Sequence, residues 1–301
     1  MKLSIVATLY KSAPYLAEFY HRAGSAALQL VGDEYEIVLV NDGSPDNSLD
    51  IALDLSATDD HIVVVDLSRN FGHHKAMMAG LAQARGEKIF LLDSDLEEQP
   101  EWLLIFNEKL EKEKCDVVYG VQKKRKGSFF ERWSGEIYYS VLDVVTGIRH
   151  PRNIVTARLM KADYVKALMM HQERELIISY IWLLTGFKQC EQKVDKLALT
   201  PTTYSIKARL HLAINAITSF SARPLEIIFY FGLMMMTFSF GSGVYLTINK
   251  ILFASTLSGW TSLMVSVWFL GGVIISVMGV IGIYISKIYS EVKQRPRTII
   301  R

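Results

Sequence analysis

The sequence predicts an α/β protein with a mostly parallel sheet, followed by an interfacial helix and two transmembrane helices. Three observations predict this. Short apolar runs alternate with helical patterns through the first two thirds of the chain, the rhythm of a parallel sheet with helices on both faces. Residues 227–249 carry no charge, and after Lys250 none appears until Lys287. Each run exceeds the about 20 apolar residues that cross a bilayer. Lysine and arginine gather outside these runs: Lys207, Arg209 and Arg223 before the first, and Lys287, Lys293, Arg295, Arg297 and Arg301 after the second.

Taken in order, "LSIVATLY" is a strand, "SAPYLAEFYHRAGSAALQL" a helix, and "YEIVLVNDGS" a strand ending in a polar turn. "PDNSLDIALDLSA" reads as a helix with Ser44 or Asp46 as its cap, "HIVVVDLS" as a strand and "GHHKAMMAGLAQARG" as a helix. "EKIFLLDSD" is a strand, "PEWLLIFNEKLEKEK" a helix and "CDVVYGV" a strand. From about Val121 the pattern loosens. The basic cluster of residues 123–126 opens an amphipathic helix, and "YSIKARLHLAINAITSFSARPLE" suits an interfacial helix leading into the first span.

This divides the chain into a globular domain at residues 1–205, a juxtamembrane segment at 206–224 and a two-helix anchor at 225–301. The positive-inside rule puts both flanks of the anchor in the cytoplasm. "MKLSIVATLY" runs straight into a strand rather than a signal peptide. The formal charge of +2 conceals the basic collar beside the membrane, which favours anionic lipid surfaces. No nucleic-acid partner is expected. Cys115 and Cys190 lack metal spacing and read as free cytoplasmic thiols. His73 and His74 have no ligand at zinc-type spacing, so no metal is assigned to them.

Ligands of a parallel sheet bind beyond the carboxyl ends of its strands. Those ends bear Thr8, Tyr10 and Lys11; then Asn41, Asp42, Gly43 and Ser44; then Ser68 to His73; then Asp93, Ser94 and Asp95. Four polar clusters on one edge read as a site. Neither a Walker loop nor G-x-G-x-x-G is present, which argues against ATPase and dinucleotide chemistry. "LLDSDLEEQP" crowds four carboxylates behind an apolar run. Two readings stand: a turn in which Asp95 or Glu97 caps the next helix, with Pro100 near its first turn, or a divalent-cation site.

"IVATLY", "EIVLVNDGSPDNS", "LSRNFGHHKAMMAGLAQARGEKIFLLDSDLEEQPEWL" and "DVVYGVQKKRKG" resemble family 2 glycosyltransferases of GT-A fold. "RLMKADYVKAL" and "SFSARPL" before two spans narrow this to polyprenyl-phosphate glycosyltransferases, such as bactoprenol-phosphate sugar transferases and dolichyl-phosphate mannose synthase. The resemblance covers nearly the whole chain. It implies sugar transfer from a nucleotide sugar to a polyprenyl phosphate at the cytoplasmic face of the inner membrane, with Mg²⁺ or Mn²⁺ as cofactor.

By the same resemblance, Asp93 and Asp95 hold the metal, with Glu97 standing where the family often has Gln. Thr8, Tyr10 and Asp42 fall in the nucleotide pocket, bordered by Arg69, Asn70, His73 and Lys75. Ser94, Arg158 and Lys207 join the substrate-contacting set, while Lys123, Arg125 and Arg132 face the lipid phosphate. Two departures stand out: Asn41 replaces a usual acid, and "VTARLM" puts Thr156 where many bacterial members have Asp.

A lipid phosphate is already an anion at neutral pH, so transfer to it needs no base comparable to that required by a sugar hydroxyl. It needs charge screening: a hard cation for the leaving diphosphate and guanidinium groups for the acceptor. Gly272, Ser276, Gly279 and Gly282 share roughly one helix face, which suits packing of the hairpin on itself or on another subunit. The spans offer no charged group for conduction. A processive synthase is disfavoured because its Gln-x-x-Arg-Trp motif is absent at Arg132-Trp133. A non-catalytic nucleotide-sugar binding or assembly protein is the remaining alternative.

Overall fold

The computed structural model describes residues 1–122, 152–173, 178–196, 223–253 and 259–301. Seven strands form one sheet: β1 (Leu3–Leu9), β2 (Tyr35–Asn41), β3 (Ile62–Asp66), β4 (Lys88–Asp93), β5 (Val117–Gln122), β6 (Ile154–Lys161) and β7 (Gln189–Val194). Their order is β3-β2-β1-β4-β6-β5-β7. β1 to β4 run parallel, β6 runs antiparallel to both neighbours, and β7 is parallel to β5. The mostly parallel α/β expectation is met.

The connecting helices are α1 (Ala13–Val31), α2 (Ser48–Thr58), α3 (His73–Gln83), α4 (Trp102–Glu113), α5 (Ala162–Met170) and α6 (Ile178–Leu184). Strand alternation separates two cores. Ile5, Ile37 and Leu39 pack with Leu16 and Phe19 of α1 and Leu103 and Phe106 of α4. Val6, Val38 and Val40 pack with Met77 and Leu81 of α3 and Leu168 of α5 on the opposite face. Gly80 of α3 permits this approach, because a Cβ there would stand 2.6 Å from Val6 and Val40 side-chain carbons.

The strands and helices expected before Val121 are all present. The structure adds β6, α5, α6 and β7, which the looser pattern after Val121 did not announce. Helix boundaries need two corrections. Asn47, not Ser44 or Asp46, is the N-cap of α2, although Asp46 accepts from the Ser48 N–H at 3.2 Å. Glu101 is the N-cap of α4, with no side-chain capping bond, so Asp95 and Glu97 do not cap that helix. Cys115 and Cys190, expected as free thiols, are joined in a disulfide. The cause is topological: parallel pairing of β5 with β7 sets Val118 opposite Cys190 and brings together sulfurs separated by 75 residues.

A second compact unit contains two long helices, α7 (Arg223–Phe253) and α8 (Trp260–Val292). Ser266–Val292 is long and apolar enough to cross a membrane. Trp268 and Ile275 in it are 78% and 72% exposed, so it does not serve as a buried core helix among the described residues. Two spans were expected, and among the described residues this one segment meets the length and composition required. Gly272, Gly279 and Gly282 have no atom within 4 Å of an added Cβ, so the small-residue stripe faces open space among the described residues. Residues Arg295–Arg301 belong to the first unit.

Candidate active site

The parallel run of β1 to β4 brings four strand ends to one edge. Thr8 pairs in register with Val40 and Asp93, and Asn41 with Asp66. Sequence adjacency plays no part in this convergence; parallel pairing alone imposes it.

The loops behind these ends interlock. Asp42 is buried, and its carboxylate accepts from the Phe71 N–H at 2.7 Å and the Gly72 N–H at 3.1 Å. Gly43, at φ +59°, lets the backbone of Arg69 and Asn70 approach to where a Cβ would stand. Asp42 therefore braces the loop of residues 69–72. That loop presents exposed Arg69 and Asn70, with the Arg69 guanidinium 4.2 Å from the Phe71 ring centroid. Ser94 is also a brace: its buried hydroxyl lies 2.8 Å from Thr8 O and from Ser12 Oγ. Tyr10 is half exposed beside them, and Lys75 is partly buried in the first turn of α3.

His73, the first residue of α3, joins Thr8 to the acidic loop. Its Nδ1 lies 3.1 Å from Thr8 Oγ1, and its Nε2 lies 3.3 Å from Asp93 Oδ1. Asp95 Oδ1 accepts from the Glu97 N–H at 3.0 Å, turning the chain through Leu96 at φ +60°. A leucine in that left-handed conformation costs energy. The turn leads into Glu97 and Glu98, both of which are buried. Glu98 is fully buried and accepts from the Thr156 N–H at 2.8 Å.

Lys196 enters this acidic group from the end of β7. Its ammonium stands 3.3 Å from Glu97 and 3.6 Å from Glu98. Burial opposes its charge, but Glu98, Asp93, Asp95 and Glu97 together raise its pKa above the usual lysine value. Burial also opposes charge on Asp93, yet His73, Lys196 and the Thr156 side chain hold that carboxyl below its ordinary range. Asp95 goes the other way: burial raises it, with Asp93 and Glu97 adding to the shift. Burial, reinforced by Asp93, pushes Glu98 up to about 8.

Two buried oxygens here lack a hydrogen-bond partner, Asp93 Oδ1 and Glu98 Oε2; His73 faces the first at ion-pair distance without hydrogen-bond alignment. The carboxylate oxygens of this group fit a divalent cation in kind, Asp93 Oδ1 with an unused lone pair, whereas Glu98 holds its proton up to about pH 8. Among the described residues they do not form a closed cage. The gathered set of three ligand atoms is Glu113, Cys115 and Cys190, and there the sulfurs are consumed by the disulfide.

Arg158 was expected to contact substrate. It is 1% exposed, donates from Nε to Thr156 O at 3.2 Å and stacks over Trp182 with Cζ 2.8 Å from the ring centroid. Burial pushes its guanidinium down to about 9. The structure thus buries it between the sheet and the helices that carry Tyr164 and Trp182. Lys123, Arg125, Arg132 and Lys207 lie outside the described residues. Lys196 was missed because β7 reads "QCEQKV", a polar edge strand without an apolar run. The strand-end rule would have placed Lys196 at the site had β7 been recognised.

Residues 4–169 match the model of the family described as Glycosyl transferase family 2. The chain belongs to glycosyl transferase family 2. A Mycobacterium tuberculosis protein named among glycosyltransferases is 46% identical over the whole chain and 88% of its own length. The prophage bactoprenol glucosyl transferase homolog of Escherichia coli is 31% identical, over 100% of this chain and 99% of the relative. Mannosyl-3-phosphoglycerate synthase from Rubrobacter xylanophilus superposes with TM-score 0.50 at 13% identity, covering 75% of this chain and 74% of that one. At that identity the likeness concerns the fold alone.

Proposed function

We propose that this glycosyltransferase moves a sugar from a nucleotide sugar to a polyprenyl phosphate at the cytoplasmic face of the membrane, giving a lipid-linked monosaccharide for surface polysaccharide modification. The observation that carries the reading is the full-length similarity to the bactoprenol glucosyl transferase homolog, which extends through the long apolar C-terminal helices as well as the sheet domain. Both helices insert, and the basic residues flanking them set the orientation.

Thr8, Tyr10 and the loop of Arg69, Asn70 and His73 border the nucleotide, with Asp42 and Ser94 holding that border in shape. Asp93 and Asp95 hold a divalent cation, Mg²⁺ or Mn²⁺, with Glu97 beside them. The cation would neutralise charge on the departing nucleoside diphosphate. Arg125, Arg132 and Lys123 screen the acceptor phosphate, and Lys207 completes the basic set around it. The acceptor enters as an anion, so Thr156 in place of a carboxylate does not deprive the reaction of a required base.

The test incubates purified protein with individual radiolabelled nucleotide sugars and undecaprenyl phosphate. A single-sugar lipid is expected. A polymer would identify a processive synthase. Nucleotide-sugar binding without any product would identify a non-catalytic assembly protein.

A further inference from the structure

Among the described residues β3 is the outer strand of the sheet, and one side of its backbone has no sheet strand beside it. Exposed edges of this kind recruit other chains unless something covers them. The C-terminal residues supply the cover. The Ser68 N–H donates to Ile299 O at 2.8 Å, and the Arg301 N–H donates to Asp66 O at 2.9 Å. Ile300 thereby bridges Leu67 in antiparallel fashion. Arg301 Nη2 donates to Ser68 O at 3.1 Å, and Arg297 reaches His171 O at the end of α5. On its other side Leu67 donates to Asn41 O at 3.0 Å. The chain just before the site loop is thus held between β2 and the C-terminal segment.

Beyond Ser68 the chain forms the loop of Arg69, Asn70, Phe71 and Gly72, fastened to Asp42, and then places His73 against Thr8 and Asp93. We propose that residues 297–301 act as a positioning strand for the nucleotide pocket: by pairing with Asp66 to Ser68 they fix the loop that borders the donor. This rests on the donor reading given above. The role is carried by backbone hydrogen bonds, because Ile299 and Ile300 are half exposed and bury little apolar surface. Only residues 293–296 separate the end of α8 from this strand, so the helix that carries the apolar span leads directly to the element that shapes the donor pocket.

The test uses the full-length protein in detergent and three variants: deletion of residues 298–301, Arg301→Pro and the conservative pair Ile299→Val with Ile300→Val. UDP and GDP are the probes, titrated calorimetrically, with hydrogen exchange followed at the Ser68, Phe71 and Gly72 amides. The deletion and Arg301→Pro, which lacks the N–H given to Asp66, should each weaken binding of the recognised nucleotide by about tenfold, the equivalent of one or two lost backbone hydrogen bonds. They should raise the Michaelis constant for the donor without raising that for undecaprenyl phosphate, and speed exchange at all three amides. The valine pair keeps every backbone bond and should behave as wild type. Unchanged nucleotide affinity in the deletion, or unchanged Ser68 exchange, overturns the proposal. If wild type binds neither UDP nor GDP, the donor reading fails first, and Ser68 protection still reports separately whether the strand pairs.

Discussion

Replacing Glu98 with glutamine tests the electrostatics of the acidic loop most directly. Glu98 is enclosed beside Asp93, and burial with that neighbour raises its pKa to about 8 from the ordinary glutamate value of 4.5. Between those two values the folded chain keeps the proton and the unfolded chain releases it. Stability from this group is therefore full below about pH 4.5 and is lost as pH rises through about 8. At about 1.4 kcal/mol per pH unit, the loss between pH 5.5 and pH 8 is on the order of 3 kcal/mol. For a domain of this size that corresponds to a fall of roughly 10 °C in Tm. Glutamine has the same shape, accepts from the Thr156 N–H and does not titrate. Lys196 also stands 3.3 Å from Glu97, so the substitution leaves it an ionic partner. Calorimetric unfolding of both proteins in detergent across this pH range should show the wild-type Tm falling relative to that of Glu98→Gln. Parallel curves would refute the reasoning, since a carboxyl already ionised in the folded state predicts no divergence.

The site and the fold lead to three further expected outcomes. Asp95→Asn should abolish most transfer while leaving the unfolding transition in place, and EDTA should do the same to wild type; full activity of the variant in metal-free buffer would remove Asp95 from the cation site. Arg132→Ala should raise the apparent Michaelis constant for undecaprenyl phosphate roughly tenfold to a hundredfold, the value of a charge-assisted contact of about 1.5–3 kcal/mol, with nucleotide titration unchanged. A shift in nucleotide affinity alone would reverse the assignment of donor and acceptor sides. Thiol titration of the denatured, unreduced chain should find no reactive cysteine, and two after reduction, because Cys115 and Cys190 are the two in the sequence. Two thiols before reduction would restore the free-cysteine expectation.

Much of the edge that carries the site could be read from residue order. Each of β1 to β4 is a continuous apolar run ending in a polar turn, and local pattern is sufficient to mark such elements. Once they are taken as parallel, geometry brings Thr8, Asp42, His73 and Asp93 to the same side without knowledge of any contact. The family motifs lie in those same turns, so the resemblance and the strand-end rule point to the same residues. The apolar C-terminal runs were equally plain in residue order, because an uncharged stretch of about 20 or more residues is a local feature of the sequence.

Other features depended on contacts between distant residues. β6 lies between β4 and β5 in space although it comes after both in sequence, and no local pattern encodes that insertion. It is what places the Thr156 N–H against Glu98 and buries Arg158 under Trp182. β7 is too polar to announce itself, so Lys196 could not be assigned to the carboxylates it neutralises. The disulfide and the C-terminal strand obey the same logic, joining residues 75 and more than 200 positions apart. Side-chain type and spacing determined which groups could do chemistry. Sheet order decided which of them meet, and the neighbours it supplied decided their charge: burial opposes ionisation of both Asp93 and Glu98, but His73 and Lys196 hold Asp93 below its ordinary range while the charge of Asp93 adds to burial at Glu98, so two carboxyls of one acidic stretch are driven in opposite directions.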